Sequence, residues 1–176
     1  MSLAEVLARS RRRGLVLIGA AAAAAVAGST LMGCGFELRR APPLPFKSIA
    51  LTGFAPRSPL ALQLTTELAK QVRVVDAPAQ ADVVLQALAD ARERSVVAQT
   101  SSAQVRELQL RVKFNFKVST PAGRELIGTS ALLLSRDMSY NESAALAKEQ
   151  EEAELNRDMQ ADIVLQVMRR LAAIKL

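Results

Sequence analysis

Residues 105–118 read VRELQLRVKFNFKV, and apolar and polar side chains alternate along almost all of them. The apolar residues share one face of an extended chain, and they are Leu108, Leu110, Val112, Phe114, Phe116 and Val118. The polar residues share the other face, and they are Gln109, Arg111, Lys113, Asn115 and Lys117. A period of two predicts a β-strand in an antiparallel sheet that is covered on one face and exposed to solvent on the other.

The segments on either side of this stretch are also predicted to be strands. From residue 82 to about Val97 the period is again two, which places Arg92 and Arg94 on the polar face beside Arg111 and Lys113. The polar residues 99–102 suit a hairpin tip, and residues 120–123 suit a second turn. Residues 126–134 form the next strand, and apolar side chains occupy both odd- and even-numbered positions in it. We interpret that pattern as cover on both faces.

Two amphipathic helices complete the predicted architecture. Ser58 and Pro59 are typical of a helix start, and leucines recur every four residues to about residue 71. The last helix is predicted from an Asn141 cap to about residue 173, and two short strands, 47–52 and 72–75, flank the first helix. The fold class is therefore α+β. It is a two-layer sandwich in which two amphipathic helices pack on one face of a mostly antiparallel four- to five-stranded sheet.

The amino terminus has the layout of a bacterial export signal. A basic cluster, Arg9, Arg11, Arg12 and Arg13, precedes an apolar stretch, residues 15–26, and Leu31-Met32-Gly33-Cys34 follows. This pattern resembles a lipobox, which implies a cleaved signal peptide (1–33) and N-acyl and S-diacylglycerol groups on Cys34. A proline-rich tether (34–46) and the α+β domain (47–176) would follow. The alternative is a transmembrane helix, but the apolar run is short for a bilayer span.

Composition excludes several kinds of site. The chain has no histidine and one cysteine, so sites built from imidazole or thiolate ligands and Ser-His-Asp triads are excluded. We predict no catalytic residue, no metal and no cofactor apart from the acyl groups. The formal charge is +6, and residues 1–33 hold four of the 23 basic and one of the 17 acidic residues, which leaves +3 on the remainder. That charge is mild and predicts no nucleic-acid partner.

Several motifs, taken together in order, resemble one family. They are Cys34-Gly35-Phe36-Glu37-Leu38-Arg39, residues 81–85 (ADVVL), the long hairpin that follows, and Ala145-Leu146-Ala147-Lys148 before the last helix. This order is similar to that of the LptE lipoproteins. The resemblance implies a non-enzymatic protein that is anchored by lipid to the outer membrane. Its domain would lie in the lumen or on the periplasmic side of the LptD β-barrel, where it would plug the barrel and assist its assembly. The resemblance also implies binding of lipopolysaccharide. Glycine after the lipidated cysteine is consistent with sorting to the outer membrane.

The resemblance also suggests which residues bind lipopolysaccharide. The family's basic residue at the start of the last helix maps onto Lys148. Its other basic contact lies near the tip of the long hairpin, but here the tip, residues 99–102, carries no charge. Arg94 or Arg106 would replace the missing tip contact, and Arg111 and Lys113 add charge on the polar sheet face. Two other hypotheses remain. One is a free periplasm-facing lipoprotein that binds small ligands or acts structurally, and the other is a carboxylate hydrolase, for which no carboxylate pair is evident.

Overall fold

The computed structural model describes residues 42–176, and the predicted signal peptide, Cys34 and most of the tether lie outside the described residues. The strands are β1 (Ser48–Thr52), β2 (Arg73–Val75), β3 (Val83–Gln99), β4 (Val105–Ser119) and β5 (Glu125–Ser139). The helices are α1 (Pro59–Ala69) and α2 (Ala145–Ala172), with short 3-10 turns at Pro78–Gln80 and Glu142–Ala144. The strand order is β2-β1-β3-β4-β5. β1 pairs in parallel with β2 and β3, and the three long strands are antiparallel.

Both helices begin and pack largely as their sequences predict. The Ser58 hydroxyl accepts a hydrogen bond from the Ala61 amide at 3.1 Å, and Pro59 occupies the first turn of α1. Leu60, Leu64 and Leu68 are buried. Asn141 caps the 3-10 turn rather than α2 itself, since its side chain accepts from the Ser143 amide at 3.0 Å.

The core lies between the helices and one face of the sheet. The apolar face of β4 is buried along its whole length, and Phe114 stacks on Phe116 and on Phe54 with ring centroids 5.2 and 5.7 Å apart. From the helix layer, Met159, Ile163 and other residues of the α2 stripe are buried against it. The predicted α+β sandwich is therefore confirmed, with five strands and both helices on one face.

A β-bulge in β3 overturns one prediction about its faces. Ala87 pairs with Phe116, but Ala89 pairs with Asn115, so Leu88 is an extra residue. Beyond the bulge, Arg92 lies opposite Val112 and Arg94 lies opposite Leu110, on the helix-covered face. The prediction that Arg92 and Arg94 share the wet face with Arg111 and Lys113 is wrong, because one inserted residue exchanges the two faces of a strand.

A second bulge explains the mixed apolar pattern of β5. Val118 pairs with Ile127, but Phe116 pairs with Ser130, so β5 contains an extra residue near Gly128. The helix layer is consequently faced by Ile127 before the bulge and by Leu132 and Leu134 after it, although the first is odd-numbered and the other two are even-numbered. The interpretation that both faces of this strand are covered is wrong, and Leu133 on the other face is 63% exposed.

Candidate functional site

The face of the sheet that turns away from the helices, here called the outer face, is centred on the polar residues of β4. Its β4 residues are Gln109, Arg111, Lys113, Asn115 and Lys117. Arg111 and Lys113 are exposed, and the Arg111 Nε donates to the Gln109 Oε1 at 2.7 Å. Gln109 in turn donates to the Asp137 Oδ1 at 2.8 Å. Glu93 lies opposite Arg111 on β3, so part of the charge near Arg111 is balanced.

Asn115, between the two lysines of β4, has a polar atom that lacks a partner. Its cross-strand neighbours are Ala89 and Ala131. The Asn115 Oδ1 is buried and accepts no hydrogen bond from any residue that the structure describes. A buried acceptor without a donor is uncommon in folded proteins. The outer face therefore combines two lysines with an acceptor that a docked group would satisfy.

The arginines of β3 have structural partners on the helix side instead. Arg94 Nη1 lies 3.1 Å from the Glu152 Oε2, and the Arg92 guanidinium donates to the Gln160 Oε1. The Gln160 amide nitrogen donates to the Pro59 carbonyl at 3.1 Å and to the Gln63 Oε1 at 2.7 Å. These bonds connect α1, α2 and β3. The polar groups that the bulge turns inward therefore stabilise the contact between the helices and the sheet.

Lys148 and Arg106 lie at the end of the domain that carries the hairpin tip. Lys148 Nζ donates to the Glu151 Oε2 at 2.8 Å and to the Ser139 Oγ at 3.0 Å, and 18% of its side chain is exposed. Arg106 is exposed and lines a small cavity with Glu142. Arg94 lines a neighbouring cavity of about 220 Å³ that also includes Glu142.

The five residues proposed from the sequence thus form two groups. Arg111 and Lys113 lie on the outer face, whereas Arg94, Arg106 and Lys148 lie at the hairpin end. Sequence reasoning did not single out Asn115 as a site residue, although an amide within a stripe of lysines was visible in the alternation. It also overlooked Gln160, which lies among apolar positions of the α2 stripe.

The ADVVL segment has a structural role at the start of β3. Asp82 Oδ2 accepts hydrogen bonds from the backbone amides of Lys47 and Ser48, both at 2.9 Å, which joins β3 to β1. The Lys47 amide, together with the Ser48 bonds, holds the pKa of Asp82 below its ordinary value. Within residues 42–176, no three acidic or cysteine side chains are placed to hold a metal ion, and no helix is long and apolar enough to cross a bilayer.

Comparison with known proteins gives a consistent result. A family model described as "LptE: Lipopolysaccharide-assembly" matches residues 46–171. The fold is similar to the solution structure of an uncharacterized lipoprotein B from Nitrosomonas europaea, with 27% identity, a TM-score of 0.68, and 79% of this chain and 91% of that one covered. No curated protein sequence matches the chain.

Two crystal structures are also similar to this domain. The minor lipoprotein from Acinetobacter baumannii shares 25% identity at a TM-score of 0.60, with 74% of this chain and 94% of that one covered. The rare lipoprotein B from Shewanella oneidensis shares 28% identity at a TM-score of 0.57, with 69% and 93% covered. Each of these structures contains nearly the whole of its chain in the shared fold.

Proposed function

The chain belongs to the LptE family of lipopolysaccharide-assembly proteins, and from this premise we propose that it is an outer-membrane lipoprotein that plugs an LptD-type β-barrel, assists its assembly and binds lipopolysaccharide. A role in lipopolysaccharide assembly follows from the family itself. The barrel partner, the lipid ligand and the outer-membrane location are proposals. In this proposal the protein positions other molecules and carries out no reaction of its own.

The observation that carries the barrel proposal is the open outer face. Barrel lumens of the outer membrane are polar, so a plug can bury a polar surface there if its charges and acceptors find partners. Lys113 has no ion-pair partner among the described residues, and the Asn115 Oδ1 lacks a donor. Partner side chains at this face would supply a carboxylate for Lys113 and a hydrogen-bond donor for the Asn115 Oδ1. The helix side, by contrast, already satisfies its inward polar residues.

The barrel proposal is tested by co-purification after detergent extraction of membranes. The protein should be recovered with an outer-membrane barrel, and Lys113→Glu combined with Lys117→Glu should reduce the recovered barrel several-fold. Lys70→Glu is the matched control, because Lys70 lies at the end of α1 and, within residues 42–176, forms an ion pair with Glu67 alone. Recovery of the wild-type protein alone in every extraction would overturn the proposal.

Lipopolysaccharide is the second proposed partner, and its phosphate groups suit the exposed cations. Arg111 and Lys113 offer donors on the outer face, while Arg94, Arg106 and Lys148 offer them at the hairpin end. Lys148 would have to exchange Glu151 for a phosphate, since its Nζ is already bonded. A hydrogen bond between charged groups contributes roughly 1.5–3 kcal/mol, which corresponds to about a tenfold change or more in affinity.

Charge reversal distinguishes the cations of the outer face from those at the hairpin end as binders of lipopolysaccharide. Lys148→Asp should weaken capture of lipopolysaccharide by about tenfold or more with an unchanged circular dichroism spectrum, because it removes one charge-assisted contact and repels phosphate. Arg111→Asp tests the outer face in the same assay, and Lys70→Asp again serves as the control. If Lys148→Asp captures lipopolysaccharide as the wild type does, Lys148 has no part in binding.

The membrane anchor is proposed at Cys34. Mass spectrometry of the purified protein should find residue 34 at the amino terminus with acyl chains attached. Cys34→Ala should leave the outer-membrane fraction, because stable anchoring depends on such chains. An uncleaved leader and an unmodified thiol would contradict the anchor.

A free lipoprotein that binds small ligands is favoured by one feature. A cleft of about 690 Å³ opens between α1, α2 and β3, with Gln63, Arg92 and Gln160 in its wall. These three side chains are joined by hydrogen bonds through Gln160 and are therefore already engaged, although Asn156, Arg157 and Asp158 also line the cleft. The outer face is therefore the better supported site.

A further inference from the structure

One end of the domain, here called the tether end, is where the described chain begins and where several elements start or stop. β1 and β3 begin there, as the bonds from the Lys47 and Ser48 amides to Asp82 show. β4 ends and β5 begins at the same level, since Ser119 pairs with Val84 and with Glu125. The carboxyl end of α2 is also there, because Ile174 and Ile127 line one groove.

Basic side chains collect at this end. They are Lys47, Arg73, Arg124, Arg170 and Lys175. All are exposed except Arg170, which is half-buried. None of them forms an ion pair within residues 42–176, and the nearby Asp82 is occupied by backbone amides. The tether end therefore presents cations whose charge is not balanced by a bonded carboxylate.

The groove at the tether end combines these cations with apolar surface. It has a volume of about 430 Å³ and is lined by Leu126, Ile127, Arg170, Ala173, Ile174 and Lys175. The Arg170 guanidinium carbon lies 5.9 Å from the centre of the Phe116 ring, which holds this cation at the edge of the core. An apolar floor beside two cations matches the boundary between lipid headgroups and acyl chains.

The opposite end of the domain is rich in carboxylates, although Arg94, Arg106 and Lys148 also lie there. The amino-terminal half of α2 carries Glu149, Glu151, Glu152 and Glu154, and Glu142 precedes it. Two of these carboxylates pair with Arg94 and Lys148, and the others form no ion pair among the described residues. In the field of an anionic surface, a body charged in this way turns its basic end toward the surface.

We propose that the tether end is a second membrane contact, in which its cations bind phosphate headgroups of anionic phospholipids in the leaflet that holds the anchor. The eight residues from Cys34 to Ala41 span at most about 28 Å when extended, so a lipid on Cys34 keeps this end close to the headgroups. The contact rests on the proposed anchor and is independent of the barrel. Each basic side chain near an anionic membrane surface strengthens binding about fivefold.

Photo-cross-linking of the full lipoprotein tests the contact. A photoreactive residue replaces Ala173 in the groove or, as a control, Ser102 at the hairpin tip. The protein is reconstituted with vesicles of phosphatidylcholine alone or of phosphatidylcholine mixed with phosphatidylglycerol. At position 173, lipid labelling should be at least about fivefold higher on the anionic vesicles and should fall as salt is raised, whereas position 102 should label weakly on both.

Charge reversals identify the responsible side chains. Arg170→Glu combined with Lys175→Glu should reduce the difference between the vesicles several-fold, and Arg106→Glu combined with Lys148→Glu at the far end should leave it unchanged. If the Arg170 change unfolds α2, Arg124→Glu with Lys175→Glu tests the same surface, because both residues are exposed and lie outside the regular elements.

The outcomes separate this contact from the anchor. Flotation with both kinds of vesicle reports the anchor, and the difference in labelling between them reports the second contact. Equal labelling at position 173 on both vesicles, or a difference that the charge reversals do not reduce, overturns the contact and leaves the anchor standing. A protein that floats with neither vesicle overturns both proposals.

Discussion

Replacing Gly53 by alanine should destabilise the domain strongly, because two separate features of the structure require glycine there. Gly53 follows β1 with a φ of +77°, and an added Cβ would lie 2.2 Å from the Ala87 carbonyl oxygen, beside the β3 bulge. A left-handed backbone costs a residue with a Cβ about 1–2 kcal/mol. Forcing extra volume into a packed site costs about 1–3 kcal/mol more. The expected loss is therefore about 2–5 kcal/mol, out of the roughly 5–15 kcal/mol that stabilises a typical domain.

Two other glycines separate these contributions. Gly123 has a φ of +87° but nothing within 4 Å of an added Cβ, so Gly123→Ala should show the backbone cost of about 1–2 kcal/mol alone. Gly128 has no positive φ, and the nearest atom, at 3.1 Å, is a carboxylate oxygen at the end of the flexible Glu125 side chain. Gly128→Ala should therefore stay within about 1 kcal/mol of the wild type.

Urea unfolding of the four proteins in detergent, followed by circular dichroism, measures the free energy of unfolding from midpoints and slopes. The expected order of loss is Gly53→Ala, then Gly123→Ala, then Gly128→Ala. A loss for Gly53→Ala no larger than that for Gly123→Ala would contradict the close approach of Gly53 to the Ala87 carbonyl.

Three further predictions concern individual contacts. Asp82→Asn should lower stability at neutral pH, and the difference from wild type in pH-dependent unfolding should shrink in acid. The reason is that a carboxylate with a lowered pKa stabilises the fold at any pH above its ordinary pKa of 3.8. It loses this effect as the pH falls through the lowered pKa of the folded state. Phe114→Ala should cost about 3–5 kcal/mol in urea unfolding, since the ring is fully buried and stacked on two others. A double-mutant cycle on Arg94 and Glu152 should give a coupling of at most about 1 kcal/mol, because Arg94 is 57% exposed, and a larger value would contradict this interpretation.

The parts of the fold that follow from sequence are those in which one periodicity runs unbroken. In β4 the alternation continues from Leu108 to Val118, because the helix layer covers one face along that whole length. The leucines of α1 and the apolar stripe of α2 are equally regular, and both helices form where they are predicted. Local capping residues such as Ser58 add to this, since their hydrogen bonds are made within a few residues of the chain.

The parts that sequence did not predict depend on single inserted residues. Leu88 is not a glycine and is not flanked by turn residues, so no residue type marks the bulge. Gly53 lies against the Ala87 carbonyl next to the bulge, and the helices offer partners to the residues beyond it. These are tertiary contacts between residues far apart in sequence. The face occupied by Arg94 could therefore not be read from β3 alone.

The site was predicted in part for the same reason. Arg111 and Lys113 lie on the outer face because β4 has no bulge between them and the apolar residues that fix its orientation. The ion pair of Lys148 with Glu151 is a contact between residues i and i+3 of one helix, and such a pair can be predicted from the sequence. The unpartnered state of Asn115 required the positions of both neighbouring strands.

The Leu88 bulge also gives a structural role to one residue of the acidic run of α2, Glu152, although from sequence that run looked like an ordinary solvated helix face. By turning Arg94 toward the helices, the bulge gives Glu152 a partner, while Lys148 on the same helix pairs with Glu151. Without it, the arginines of β3 would join Arg111 and Lys113 and concentrate charge of one sign on the outer face. With it, Arg94 pairs with Glu152 on the helix side, and the outer face keeps a small set of cations beside the Asn115 Oδ1, which lacks a donor among the described residues. The proposed plug would turn this face toward a polar lumen, because partner side chains there can satisfy both the cations and the acceptor.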